Sequence, residues 1–410
     1  MGHFDRLPAF IERQRRQLQL VVQVGAEAPP GNCYSNMATL AFLIAAVLAA
    51  LILPPPASGE VLIARGALEA REDSSVHHLM AWNGTAWGHV GSTSSEPDCG
   101  TNSHPTCVSA VTTDTDGVNG TTSLVVSGDF TALGSTAVKY VARKVGEQWQ
   151  QFGTAQPGDY KSVFGHYLGD LVAWVHPESY LETYVNGSWQ QVIPDAGFDK
   201  SVEAMIEFHM ENSVKPDLFV AGFFNVPYYA CVRFQTDTQK WKFVGKFSAA
   251  VLAFAIFRER LVIAGGFRTF DDVEVNGIAL YAPNPEPLGT GISNGESVGA
   301  IYALMVHEDL LYAGGYFTSA GGKPAECVAY WDGNEWESLG MGVGLNPTNM
   351  VISIVACLGN IFIAGTFTED KGSNITGVAQ WNGVTWTTVG AGLDATSIPP
   401  YATLLCLQGV

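Results

Sequence analysis

Charge is scarce in this chain, and positive charge scarcest. Only 15% of its 410 residues are charged, and 21 Lys and Arg stand against 39 Asp and Glu. With 47% hydrophobic residues, so little charge excludes intrinsic disorder, which needs the opposite balance. It also argues against a helix-rich protein, whose solvent faces carry many charges, as do the 45 Gly, which punctuate turns. The net charge is -18, and four Arg against Asp5, Glu12 and Glu27 leave the chain after residue 59 more acidic still. Such a body repels nucleic acid, whose affinity rests on phosphate neutralisation. No phosphate loop and no His-Glu-x-x-His is present. Cysteine is sparse, at seven.

Long apolar runs are also missing, with one exception. Met37–Leu53 carries no charge over 17 residues and is followed by Pro54, Pro55 and Pro56 and then small residues. That reads as a secretory signal with a cleavage site near Ala57–Gly59. Met37 stands where such a signal would begin, so translation is expected to start there and residues 1–36 to be a disordered extension or a start-site artefact. If Met1 is the start, Arg13, Arg15 and Arg16 predict a signal anchor with its N-terminus inside. Either version places residues 60–410 outside the cytosol, secreted or at the cell surface. Membrane contact is expected only through residues 37–53, if they stay uncleaved. Asn83, Asn119, Asn186 and Asn374 head N-glycosylation sequons, all after this segment. Cys99 and Cys107 flank a polar loop and are candidates for a disulfide in an oxidising compartment. Cys231 and Cys327 sit in apolar runs and read as packed thiols. Cys357 and Cys406 occupy like positions in two later runs, and spacing alone does not decide whether they pair.

What the chain does have is a repeat. From Val298 to Gly340 four β-type runs follow one another: Ile301–Val306, Leu310–Ala313, Cys327–Trp331 and Trp336–Leu339. Asp332-Gly333 joins the last two as a hairpin turn. The second run recurs around Gly128, Gly222, Gly265-Gly266, Gly314-Gly315 and Gly365, as VLIARGAL at 61–68, and without glycines as LVAWVH at 171–176. The hairpin recurs with Trp82 and Trp87, Trp149, Trp189, Trp241, Trp331 and Trp336, and Trp381 and Trp386; at 280–289 it is degraded and lacks Trp. Units of four short strands at this period predict an all-β, seven-bladed β-propeller of four-stranded blades. Residues 61–68 read as a second strand with no first strand before it, and 402–410 as a first strand with none after it. The C-terminal strand is therefore expected to complete the first blade over 60–410. The alternative is a truncated gene model.

The string AGG-(F/Y)-F-T-x-A-G-G, with VA-x-W-(D/N)-G and W-x-x-(L/V)-G, resembles kelch-type, galactose-oxidase-like propellers. More narrowly it is similar to the propeller repeats of fungal bud-site-selection cortical marker proteins. The resemblance is strongest over 298–392 and implies a glycosylated ectodomain at the cell surface or wall.

Candidate sites are few. A copper oxidase of this fold needs a Tyr cross-linked to Cys, two His and a further Tyr. His77, His78, His89, His104, His166, His176, His209 and His307 supply no such set, and His77 and His78 would point to opposite faces of a strand. No metal or cofactor is expected, apart from a weak Ca²⁺ candidate in Asp114, Asp116 and Asn119. Asp271-Asp272 reads as a solvated turn. Tyr228, Tyr229, Phe270 and Tyr316, at strand–loop junctions, are candidates for an aromatic face, against a reading as core. The expected function is a non-catalytic binding scaffold for an unknown protein or glycan ligand. The alternatives are an extracellular carbohydrate-active or oxidase-like enzyme, and a membrane-tethered surface, wall or polarity marker.

Overall fold

The computed structural model describes residues 60–70, 76–90, 98–99, 107–115, 122–153, 160–176, 180–194, 196–211, 213–224, 230–340, 349–366, 377–390, 393–395 and 403–408. The chain divides into two units, Met1–Ala57 and Ser58–Val410. The expectations for residues 1–36 and 37–59 fall outside the described residues.

Every regular element among the described residues is a β-strand. The strands form four-stranded antiparallel sheets in chain order. Val108–Thr115, Thr122–Gly128, Val141–Val145 and Gln148–Gln151 make one. Tyr160–Tyr167, Val202–Phe208, Val251–Phe257 and Ala300–His307 each open another, and Met350–Cys357 opens a run of four antiparallel strands within a larger sheet. These opening strands stand side by side in succession, and the sheets pack face against face. That is a β-propeller-type arrangement. Glu60–Ala70 pairs with Val76–Trp82, which pairs with Trp87–His89, and with the C-terminal strand Thr403–Gln408, antiparallel from Glu60↔Gln408 to Arg65↔Thr403. Leu393–Ala395 pairs with both Glu60–Ala70 and Gly377–Trp381 and so joins these strands and those following Met350–Cys357 into one nine-stranded sheet.

The sequence explains the layering. A strand covered on both faces needs no polar side. Asp217–Gly222 is buried at every position, and so is Arg260–Gly265 after its first residue. Alternate side chains serve opposite neighbours: Val262 and Ala264 pack with Leu311 and Ala313 of the next sheet, while Leu261 and Ile263 pack with Phe219 and Ala221 of the preceding one. Each such buried Leu, Val or Ile contributes about 1.5–3 kcal/mol.

The repeated glycine has one precise task. In six opening strands the ladder slips by one residue near the start, leaving Ser109, Ser162, Glu203, Leu252, Tyr302 and Ile352 as β-bulges. Gly128, Gly222, Gly265, Gly315 and Gly365 face five of them. A Cβ at any of these would collide with the carbonyl oxygen just before the bulged strand's first buried residue: Cys107, Ser201, Ala250, Ala300 and Met350 respectively. Close backbone approach therefore selects glycine. LVAWVH takes the same place in its sheet with Val175 opposite Lys161, and Trp174 is fully buried against Phe198.

Five hairpin tryptophans reach a backbone carbonyl of a neighbouring repeat. Trp189 Nε1 donates to Phe152 O at 2.9 Å, Trp241 to Pro194 O at 2.6 Å, Trp336 to Leu288 O at 2.8 Å and Trp386 to Leu339 O at 3.2 Å. Trp87 donates to Val389 O at 2.9 Å. Three hairpins carry a second indole against the first: Trp82 with Trp87, Trp331 with Trp336, and Trp381 with Trp386, centroids 5.4–5.6 Å apart. The degraded hairpin at 280–289 still forms, as Ile278–Leu280 against Glu286–Pro287.

Two cysteines left open by spacing are joined. Cys357, at the end of Met350–Cys357, forms a disulfide with Cys406 of the C-terminal strand, Cα atoms 5.5 Å apart. Cys231 and Cys327 are buried free thiols, their titration pushed up by burial. Cys107 is disulfide-bonded, and the side chain of its expected partner Cys99 lies outside the described residues.

Candidate functional site

The bulges lie near the same end of the opening strands. Ser109, Ser162, Glu203, Leu252, Tyr302 and Ile352 occupy the same register position on six consecutive neighbouring strands. The residue before each described bulge from Ser109 onward is a buried Val or Ile in five cases: Val108, Val202, Val251, Ile301 and Val351. The bulged residue itself is partly or fully exposed in all six. The frame is thus constant and apolar, while the projecting residue changes from hydroxyl to carboxylate, aliphatic and phenol.

Glu203 is the acid of this set. Ser201 Oγ donates to its Oε1 at 2.8 Å; the side chain reaches solvent, but the protein packed around it removes part of its hydration and holds the carboxyl above the usual range despite that hydrogen bond. Tyr302 is the phenol. Burial raises its titration, with a smaller push from Tyr316, which lies on the paired strand Leu310–Tyr316 beside Ala300. Ser109, Ser162, Leu252 and Ile352 add two hydroxyls and two apolar side chains. The arrangement offers hydrogen bonds, one negative charge and a ring to stack upon.

The residues singled out by sequence separate under the structure. Phe270 is no part of an aromatic face: it is completely buried, stacked on Phe247 with centroids 4.2 Å apart. Tyr316 is half-buried at the bulge end, and Tyr228 and Tyr229 lie outside the described residues. Asp114 sits on Val108–Thr115 opposite Ser123, while Asp116 and Asn119 lie outside the described residues. Asp271 and Asp272 form the exposed turn expected of them, both at positive φ. Asp271 Oδ1 accepts from Lys246 N at 2.7 Å, and Asp272 pairs with Lys246 Nζ at 3.0 Å. Asn83 and Asn186 are exposed in hairpin turns; Asn119 and Asn374 lie outside the described residues. His77 and His78 fall on Val76–Trp82 as expected of a strand pair.

Gly295-Glu296-Ser297-Val298-Gly299 has the letters of a nucleophile elbow, but Ser297 is exposed on the short strand Ser297–Val298, paired with Ile292–Asn294. An elbow needs a strand-to-helix turn, which is lacking here. Glu60 lies beside Cys357 and Cys406, a grouping of metal-ligand types, yet the two sulfurs are bonded to each other and offer no thiolate.

No protein-family model matches the chain, and no curated protein matches it. Among solved structures, the extracellular domain of BT4673 from B. thetaiotaomicron aligns at 11% identity and a TM-score of 0.44, over 75% of this chain and 37% of that one. YCF48 bound to D1 peptide aligns at 14% and 0.35, over 58% of this chain and 70% of that one. An ancestral GH74 enzyme aligns at 10% and 0.37, over 77% and 46%. The chain thus spans well under half the length of the first of these.

Proposed function

We propose that this chain is a closed, seven-bladed propeller that binds a protein or glycan ligand outside the cytosol, at the end where the bulges project, without catalysis. One observation carries the binding reading: six equivalent positions on a repeated frame hold chemically different, solvent-reached side chains. Rigid scaffolds that present variable residues at one end commonly use them for recognition. The ring reading is supported by Thr403–Gln408, which pairs with Glu60–Ala70 and also neighbours both Met350–Cys357 and Val108–Thr115. Trp87 reaching Val389 repeats the inter-repeat hydrogen bond across the same seam. An extracytosolic place is supported by the Cys357–Cys406 disulfide, since such bonds persist in oxidising compartments.

The test is a screen of the full chain on arrays of glycans and secreted proteins. A ligand should be lost by Tyr302→Ala with Leu252→Glu, and kept by Val384→Ser at an exposed hairpin. Loss by the hairpin variant and not by the bulge pair would move the site elsewhere. Turnover of a polysaccharide or sugar by the chain, abolished by Glu203→Gln, would replace the binding reading with the enzyme.

A further inference from the structure

One row of residues crosses every second strand at the same level, facing the next sheet. Its members are Ser127, Trp174, Ala221, Ala264, Gly314 and Ala364, paired with Ala110, Val163, Ala204, Ala253, Ala303 and Ser353. Five of the six are Ala, Gly or Ser. The space is tight: a Cβ on Gly314 would come within 2.6 Å of the Val351 side chain of the next sheet. On Glu60–Ala70 the row is occupied by Arg65, paired with Thr403. Its strand neighbour Ile63 packs against Val108, Leu124 and Val126 of the following sheet, so Val108 stands there where Val351 stands for Gly314. Ser109, a bulge residue, comes directly after Val108.

Of the six described arginines, four hold a carboxylate and Arg143 lies over the Phe152 ring, whereas Arg65 is shown with neither kind of partner. Arg233, Arg258, Arg260 and Arg268 each hold a carboxylate at 2.8–2.9 Å. Arg65 Nε is sealed from solvent and has no hydrogen-bond partner among the described residues, while the residue as a whole keeps some exposure. Burial draws its guanidinium down to about 10, with no carboxylate opposing the shift. A desolvated cation without a counter-charge is unfavourable and is relieved by an anion placed against it. In a chain of net charge -18 an internal acid would have been easy to supply.

We propose that Arg65 is an anion-binding residue. Its guanidinium receives an oxyanion group, a carboxylate, sulfate or phosphate carried by a ligand, in the seam between Glu60–Ala70 and Val108–Thr115. The planar fork of Nε–H and Nη–H suits such groups in a bidentate way. This site adjoins the bulge end but does not depend on the blade count or on the ligand read there.

The test is calorimetric titration and thermal unfolding of the full chain in a buffer free of oxyanions, with sodium sulfate, inorganic phosphate and glucuronate as separate probes. These also distinguish a sulfated, a phosphorylated and a uronic-acid ligand. At least one probe should bind and raise the melting temperature. R65M should weaken that affinity by about tenfold or more, the loss of a charge-assisted pair. Without probe, R65M should melt no lower than the parent, because it keeps the aliphatic stem and removes the unpaired charge. Equal responses in parent and R65M would mean an adventitious ion elsewhere and overturn the proposal. So would a parent that ignores all three probes. If R65M does not fold, R65K serves: it keeps the charge and loses the fork, so undiminished affinity would also overturn it.

Discussion

Two adjacent glycines should respond to the same substitution in opposite directions. At Gly265 a Cβ would fall on the carbonyl oxygen of Ala250, with Val251 Cα at 2.9 Å and Ala250 C at 3.1 Å. That oxygen cannot retreat freely, because Gly266 N donates to it at 3.0 Å. Relief requires opening the bulge and with it the ladder from Val251↔Gly265 onward. Overpacking of a tight site costs about 1–3 kcal/mol, occasionally more, and a clash with backbone belongs at the upper end. At Gly266 the nearest atom to a Cβ is Ala300 Cβ at 3.8 Å, an ordinary contact, and its φ lies outside the left-handed region. There Gly266→Ala should be neutral or should stabilise by about 0.4–1 kcal/mol, by narrowing the unfolded ensemble. The neighbours should thus differ by roughly 3 kcal/mol or more in urea unfolding of the full chain, with G265A the weaker. Equal losses, or a larger loss in G266A, would refute the account of the bulge.

Trp336→Phe should cost about 2 kcal/mol, as the buried Leu288 carbonyl loses its donor and a small cavity opens; chemical unfolding measures it. Asp217→Ala should cost about 3–5 kcal/mol, because it strands the half-buried Arg233, held at 2.9 Å, and the buried Thr236 N, held at 3.0 Å. Partial desolvation holds the Glu203 carboxyl above its unfolded range, so the folded state loses stability as pH rises from the ordinary carboxylate range through that raised value, by an amount that its solvent exposure keeps small, and the loss is absent in acid. Glu203→Gln should therefore unfold at higher temperature than the parent at neutral pH, with the gap closing as pH falls below the ordinary carboxylate range. A gap that is unchanged with pH would show that Glu203 is not the cause.

Much of this architecture could be read from the residues, because the signals that specify it are local. Apolar runs such as LVIA mark strands covered on both faces, and Trp with a tight turn marks the hairpins. The unusual LVAWVH run was placed correctly because hydrophobicity, rather than glycine, decides the strand. The bulges were not readable. VLAFAIF is apolar throughout, so a slip of one residue leaves no trace in its pattern, and the glycine opposite reports close approach without saying to what. Sequence leaves Phe270 open between a surface ring and the core, because its burial depends on Phe247, 23 positions earlier in the chain and brought beside it by the two intervening strands. The union of Cys357 and Cys406 depends on where the C-terminal strand docks, a long-range outcome that no spacing encodes. Arg65 reads as part of a strand run, and its isolation depends on the sheets packed around it, which no local pattern encodes.

The central claim is that the C-terminal strand completes the first sheet and closes the ring. Peptide mapping of the non-reduced, alkylated protein by mass spectrometry addresses it most directly. The account predicts a peptide containing Cys406 linked to one containing Cys357. Recovery of Cys406 as a free alkylated thiol, or linked to a different cysteine, would contradict it.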